Sequence, residues 1–296
     1  MSQICVYFQT WSSGWAADVS GLDLARVDAG ITILNLAFVL PKCTYFPGQR
    51  TWDGTGLQFS SDFGVVVAGI ASLRKKGMKV MLSVGGGSYW SDPKYEFQPA
   101  NCIALMKDLG CDGIDLDWEV GADHDGQLCY AIEQLKRLMP DGKKISFCGW
   151  STGAMDKVGG DQFRGMNVSA LVQQGGNVDW VNVMAYDAGP SFDSKAALMH
   201  YRKYYKGPLS LGFEVGTQAW GGAMLSRDQV VATCEFVKNE DSRNGVFVWA
   251  LQKESVGTPS TMDIVAIARQ TFGVSVPAPA GVVCPNCKRA LALVLA

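Results

Sequence analysis

Short, β-rich apolar runs alternate with stretches of helical period along most of this chain. The runs Ile4–Phe8, Ile31–Phe38, Lys79–Val84, Gly113–Trp118, Lys144–Gly149, Trp180–Ala185, Leu209–Phe213 and Gly245–Ala250 predict eight strands. Between them, Asp62–Lys76, Asp125–Met139, Lys195–Tyr205, Ser226–Asn239 and Pro259–Phe272 predict helices. Ser226, followed by Asp228 and Gln229, reads as an N-cap, Pro259 fits a first helical turn, and Gly77 after Arg74, Lys75 and Lys76 reads as a stop. Repeated βα units imply a parallel sheet. Eight of them imply an α/β fold of the (β/α)8 TIM barrel type, a single domain over residues 1–273. An open, doubly wound sheet is the alternative, but its marker, a GxGxxG opening a helix, is missing. Residues 274–296 change character. They form a Pro-rich C-terminal tail with Cys284 and Cys287 as a CxxC and a short apolar end, expected to pack on the barrel or meet a partner.

The chain has 296 residues, 48% hydrophobic and 18% charged, which excludes a disordered or fibrous protein and suits one large core. A formal net charge of −2 gives no electrostatic reason to expect nucleic acid or an anionic membrane surface. Every apolar run is interrupted before the roughly 18 residues that spanning a bilayer needs. The start, MSQICVYFQTW, leads almost directly into a strand without a basic region, apolar stretch and cleavage site. A cytoplasmic location is therefore expected unless a signal has been removed or export is non-standard. Nine scattered cysteines are expected to be mostly reduced and buried. Asn167-Val168-Ser169 matches a glycosylation sequon, read as chance without a secretory signal. With only His124 and His200, one CxxC and no carbonyl-rich acidic loop, neither a metal nor a cofactor is expected. A monomer is expected.

One stretch is chemically unusual. CDGIDLDWEV, Cys111 to Val120, places Asp112, Asp115, Asp117 and Glu119 within eight residues and no base among them. Ile114, Leu116 and Trp118 alternate with the last three, so a strand sends Asp115, Asp117 and Glu119 to one face and the apolar residues to the other. A solvated edge strand is the ordinary reading of such alternation. Like charges about 6 to 7 Å apart on one face repel, however, and partial burial keeps at least one protonated. That is how a general acid is made near neutral pH. Aromatics concentrate after the strands: Trp11 and Trp15, Tyr45 and Trp52, Tyr89 and Trp90, Trp150, and Trp220. Barrel enzymes work at that end, and sugar C–H faces stack on such rings.

DGIDLDWE resembles the DxxDxDxE signature of glycoside hydrolase family 18, the chitinases and their relatives, at every fixed position. MLSVGGG resembles the family's SxGG, with Ser83, Gly85 and Gly86; VNVMAYD its MxYD, with Met184, Tyr186 and Asp187; and VFVWAL its closing tryptophan strand, with Trp249. The resemblance runs from about Tyr7 to Phe272. Only about 30 residues separate the seventh and eighth strands, too few for the α+β insertion of many members, and Glu214 has no counterpart.

The resemblance implies that Glu119 is the general acid and then the base, and that the substrate's own acetamido oxygen attacks. Asp117 would accept from the acetamido N–H, Asp115 would share a proton with Asp117, and Asp112 would hold the start of the strand. Tyr186 would aim the acetamido oxygen, with Met184 and Asp187 shaping its pocket and Trp249 as the floor. Tyr7, Trp11, Trp90 and Trp220 are further candidates for sugar contact. The expected activity is retaining endo-hydrolysis of chitin or chitooligosaccharides. The alternatives are an endo-β-N-acetylglucosaminidase acting on N-glycans and a catalytically weak chitin-binding lectin.

Overall fold

Eight parallel strands close into a barrel in sequence order, each bonded to the next and β8 to β1. They are β1 (Ile4–Gln9), β2 (Ile33–Val39), β3 (Lys79–Gly85), β4 (Gly113–Trp118), β5 (Lys144–Trp150), β6 (Trp180–Met184), β7 (Leu209–Glu214) and β8 (Gly245–Trp249). The computed structural model describes residues 2–90, 96–121, 125–159, 161, 163–189, 192–218 and 225–275. Trp220, His124 and the CxxC of the tail lie outside the described residues.

Helices α1 (Phe63–Lys75), α2 (Pro99–Leu109), α3 (Asp125–Leu138), α4 (Val168–Gln174), α5 (Ser194–Tyr204), α6 (Arg227–Glu240) and α7 (Thr261–Phe272) follow successive strands from β2 to β8. Between β1 and β2 the described helical turns are two short 3-10 segments, Thr10–Ser12 and Asp23–Arg26. Each end has a local cause. Gly77 takes φ 87° after the cationic last turn of α1. Ser226 and Gln229 close a reciprocal capping box at α6. The last helix starts later than predicted: Ser260, not Pro259, sets its first turn, through a second capping box with Asp263. The stretch between β7 and β8 holds α6 among its described residues.

Period-two alternation separates two cores. Ile114, Leu116 and Trp118 point outward into the large cluster between sheet and helices, alongside Leu34, Leu82 and Phe147. Tyr7, Met81, Cys148, Trp180 and Phe247 fill the barrel interior. Each fully buried Leu, Ile or Phe of the outer layer contributes about 1.5–3 kcal/mol, so the apolar face of β4 fixes by elimination where its acidic face goes. Pairing sets the heights: Ser83, Asp115 and Ser146 are level on β3, β4 and β5, and Gly85, Asp117 and Cys148 are level one pleat nearer the mouth.

Seven of the nine cysteines are described; all are buried and none is in a disulfide. Asn167 is fully buried and accepts from the Tyr201 hydroxyl at 2.7 Å, so the sequon cannot carry a glycan in this fold. No helix of the described residues is long and apolar enough to cross a membrane.

Candidate active site

The acidic face of β4 points into the barrel and climbs toward its C-terminal mouth. Asp112, of opposite parity, stays at the far end. Its Oδ2 accepts from the backbone N–H of Val80 at 3.0 Å and its carboxylate grips the Arg74 guanidinium, tying the start of β4 to β3 and α1. Asp115 is sealed at the lowest level: Oδ2 accepts from the hydroxyls of Tyr7 (2.8 Å) and Ser83 (2.9 Å), and Oδ1 from Ser146 (2.6 Å), with Asn182 Nδ2 at 3.5 Å. Burial raises its pKa and these hydroxyls hold it back. Asp117 is 5% exposed, and its Oδ1 is buried with no donor. Burial, then the charges of Glu119 and Asp115, push it well above the carboxylate range. No hydrogen bond joins Asp115 to Asp117: three hydroxyls donate to Asp115, and the proton is favoured on Asp117.

Glu119 follows the end of β4 and lines a cavity of about 810 Å³ at the barrel mouth. Burial raises its pKa and the charge of Asp187 adds to this, against a hydrogen bond from the Gly87 backbone. A carboxyl biased toward its protonated form and facing a cleft can act as a general acid. The cavity is lined by Tyr7, Trp11, Phe38, Asp117, Glu119, Met184, Tyr186, Asp187 and Trp249 among others.

Aromatic rings make one wall and the floor. Trp249 stacks on Phe38 with centroids 5.5 Å apart and planes at 18°, and meets Tyr7 edge-on at 5.8 Å and Trp11 at 6.4 Å. On the opposite side, Trp150 stacks on Phe163 at 4.2 Å and 8°. Tyr186 meets Phe247 edge-on at 6.0 Å, and burial raises its hydroxyl pKa well above the usual value. Asp187 takes the left-handed φ of 53°, uncommon for a residue with a Cβ, while its N–H donates to Gln218 Oε1 at 2.8 Å.

The glycines of the third strand are explained by crowding. A Cβ on Gly85, at φ 116°, would run into the Trp90 indole nitrogen and the Asp117 carbonyl oxygen. On Gly86 it would come 2.9 Å from the Phe38 ring. Gly86 N–H and Trp90 Nε1 both donate to that Asp117 carbonyl.

Two of the aromatic expectations change. Trp90 does not line the cavity: it is 6% exposed, packs on Trp118 at 4.5 Å behind β4, and is held there by its bond to the strand backbone. Tyr7 lines the cavity but spends its hydroxyl on Asp115. Among the other loop rings, Trp11, Tyr89 and Trp150 line the cavity, whereas Tyr45 and Trp52 anchor loops against Phe63. Phe38, Cys148, Ser146 and Asn182 were not singled out from the sequence. The parity of VNVMAYD, which puts Asn182 on the face of Met184 and Tyr186, was the available signal.

Glu214 ends β7 beside Trp249 in register, 5% exposed. Oε1 pairs with Lys253, while Oε2 is buried without a donor. Burial lifts its pKa to about 7, opposed by Lys253 and assisted by Asp187. Among the described residues no group of three or more His, Cys, Asp or Glu is arranged to hold a metal ion.

The chain matches the model of glycosyl hydrolases family 18 over residues 3–220. Chitinase B of Serratia marcescens is 31% identical over 137 residues, covering 38% of this chain and 26% of that protein. The chain spans from 26% to 49% of the length of the curated relatives it matches. Among solved structures, a fungal endo-β-N-acetylglucosaminidase of family 18 superposes with a TM-score of 0.67 at 16% identity, covering 91% of this chain and 99% of that one. Human YKL-39, described as a pseudo-chitinase with retained chitooligosaccharide binding, superposes at 0.65 and 11% identity, covering 93% and 100%. Those likenesses show the fold. With the family model spanning well over half of its length, this chain belongs to glycosyl hydrolases family 18.

Proposed function

We propose that this chain is a chitinase that cuts β-1,4 bonds inside chitin or chitooligosaccharides with retention of configuration. The observation that carries the reading is Glu119, whose carboxyl is biased toward protonation at the edge of the cavity, directly above Asp117. Glu119 donates its proton to the scissile oxygen, and the neighbouring acetamido oxygen of the substrate closes on the anomeric carbon to give an oxazolinium ion. Tyr186 donates to that oxygen and aims it. Asp117, whose buried Oδ1 has no donor, accepts from the acetamido N–H. Its proton passes to Asp115, the other carboxyl with a raised pKa, so that Asp117 faces the growing positive charge as an anion. Glu119, now a carboxylate, then removes a proton from the water that opens the ring. Trp249 supports the sugar from below. The short stretch between β7 and β8 favours internal cuts in a long polymer.

Incubation with chitohexaose and, in parallel, a high-mannose glycoprotein tests this. Shorter chitooligosaccharides, released first as the β-anomer, are expected, with the glycoprotein left intact. Release of its glycan instead would assign an endo-β-N-acetylglucosaminidase. Chitohexaose bound without turnover would assign a lectin and overturn the enzyme reading.

A further inference from the structure

Cys43 and Cys102 are brought together from two separate stretches of chain. Cys43 lies in the segment after β2, and Cys102 lies in α2, the helix after β3. Both are fully buried. The Cys43 N–H donates to the Leu40 carbonyl at 3.0 Å, and the Cys102 thiol lies 4.0 Å from the same oxygen. Asn101 Nδ2 donates to the Cys43 carbonyl at 2.7 Å, and Gln98 N–H to that of Pro41 at 2.8 Å, so the two segments are fastened on either side of the thiols. The two cysteines thus meet at one carbonyl oxygen, and each thiol acts on the other's ionisation.

This contact makes the two thiols unequal. The hydrogen bond from Cys102 pulls the Cys43 thiol down against its burial, and the same bond pushes Cys102 up. Burial pushes Cys5, Cys111, Cys148 and Cys234 up, so Cys43 differs from each of these. The segment after β2 and the loop that follows β3 supply part of the cleft wall: Gln58 and Tyr89 both line the cavity, and Gln58 Nε2 donates to the Tyr89 hydroxyl at 3.4 Å.

We propose that Cys43 and Cys102 are a disulfide-forming pair, which becomes a covalent staple between the segment after β2 and the helix after β3 when the protein folds under oxidising conditions. With glutathione disulfide as oxidant, the Cys43 thiolate attacks one of its sulfurs and expels a glutathione thiolate. Cys102 then loses its proton and attacks the Cys43 sulfur of the mixed disulfide, expelling the second. The protein gives up two electrons and two protons, and one glutathione disulfide becomes two glutathiones. The bond closes a loop of about 60 residues, which restricts the unfolded chain. This inference is independent of the substrate and of Glu119.

Refolding the full chain from denaturant in a glutathione redox buffer, then alkylating the remaining thiols and mapping peptides by mass spectrometry, is the test. A peptide linking Cys43 to Cys102, about 2 Da lighter than the sum of its reduced halves, is expected. The oxidised protein should melt roughly 5–10 °C above the same protein treated with dithiothreitol. Cys43→Ser and Cys102→Ser should each abolish the dithiothreitol-sensitive part of the melting temperature. Should either serine variant fail to fold, the wild-type map alone decides. Alkylation of both Cys43 and Cys102 in the refolded, oxidised protein overturns the proposal, whatever other cysteines are linked.

Discussion

Across the barrel interior, the hydroxyl of Tyr7 on β1 donates to Oδ2 of Asp115 on β4 at 2.8 Å, with both groups sealed from solvent. Tyr7→Phe keeps the ring and removes that donor, leaving the oxygen to Ser83 alone. A buried carboxyl that loses a donor costs about 1–3 kcal/mol, to be read as a lower urea midpoint. Because that donor holds the Asp115 pKa down, Asp115 should take the Asp117 proton more readily without it, so turnover of chitohexaose should change less than stability does.

Glu119→Gln preserves shape and removes the transferable proton. Turnover is expected to drop by about 10²–10⁴-fold, while calorimetry finds chitohexaose affinity within a few-fold of wild type. Near-wild-type turnover would remove Glu119 from the role of acid.

The pH profile carries a sign. Activity requires protonated Glu119, so the rate declines on the alkaline side as this carboxyl ionises. The charge of Asp187 raises the Glu119 pKa. Asp187→Asn should therefore move the alkaline limb of kcat to lower pH; a shift to higher pH would contradict the arrangement.

Glu214 links stability to pH in a definite direction. Its folded pKa of about 7 lies above the ordinary 4.5, chiefly through burial. The stability it contributes is complete below about 4.5 and is lost as pH rises through about 7. Glu214→Gln should flatten the fall in unfolding free energy between pH 5 and pH 8 by up to roughly 3 kcal/mol, measured by urea denaturation at both pH values. An unchanged slope would show that Glu214 does not titrate in this interval.

At Gly85 both the left-handed φ and the missing Cβ are required. Gly85→Ala is expected to destabilise by at least about 2 kcal/mol and to lower the melting temperature. Ala at Gly126, which has open space around it, serves as the control.

Much of this was legible in the sequence because alternation is a physical constraint. Ile114, Leu116 and Trp118 must bury against helices, so Asp115, Asp117 and Glu119 face inward whatever the details of packing. The strand positions follow from the same rule, with β2 starting two residues later than expected, β1, β2, β3, β5 and β7 each running one residue further, and β6 and β8 each ending one residue earlier. Helices α2 and α4 were not delineated, since their buried residues do not form one clear stripe in the sequence. The loop aromatics were the weakest reading. A tryptophan after a strand can stack on a sugar, as Trp11 is placed to do, or brace the loop from behind as Trp90 does, and local sequence does not distinguish the two. Four hydroxyl or amide groups around Asp115 come from four different strands, and only closure of the barrel reveals that they share one carboxylate.

The carbonyl oxygen of Asp117 takes hydrogen bonds from Gly86 and from the Trp90 indole, both supplied by the loop after β3. The backbone that carries the proton donor is thus gripped from two sides, by a glycine of the cavity lining and by an indole packed behind β4. Selection for altered turnover should accordingly recover changes at Trp90, away from the cavity lining, whose effect reaches the reaction as a tilt of the strand end that leads to Glu119.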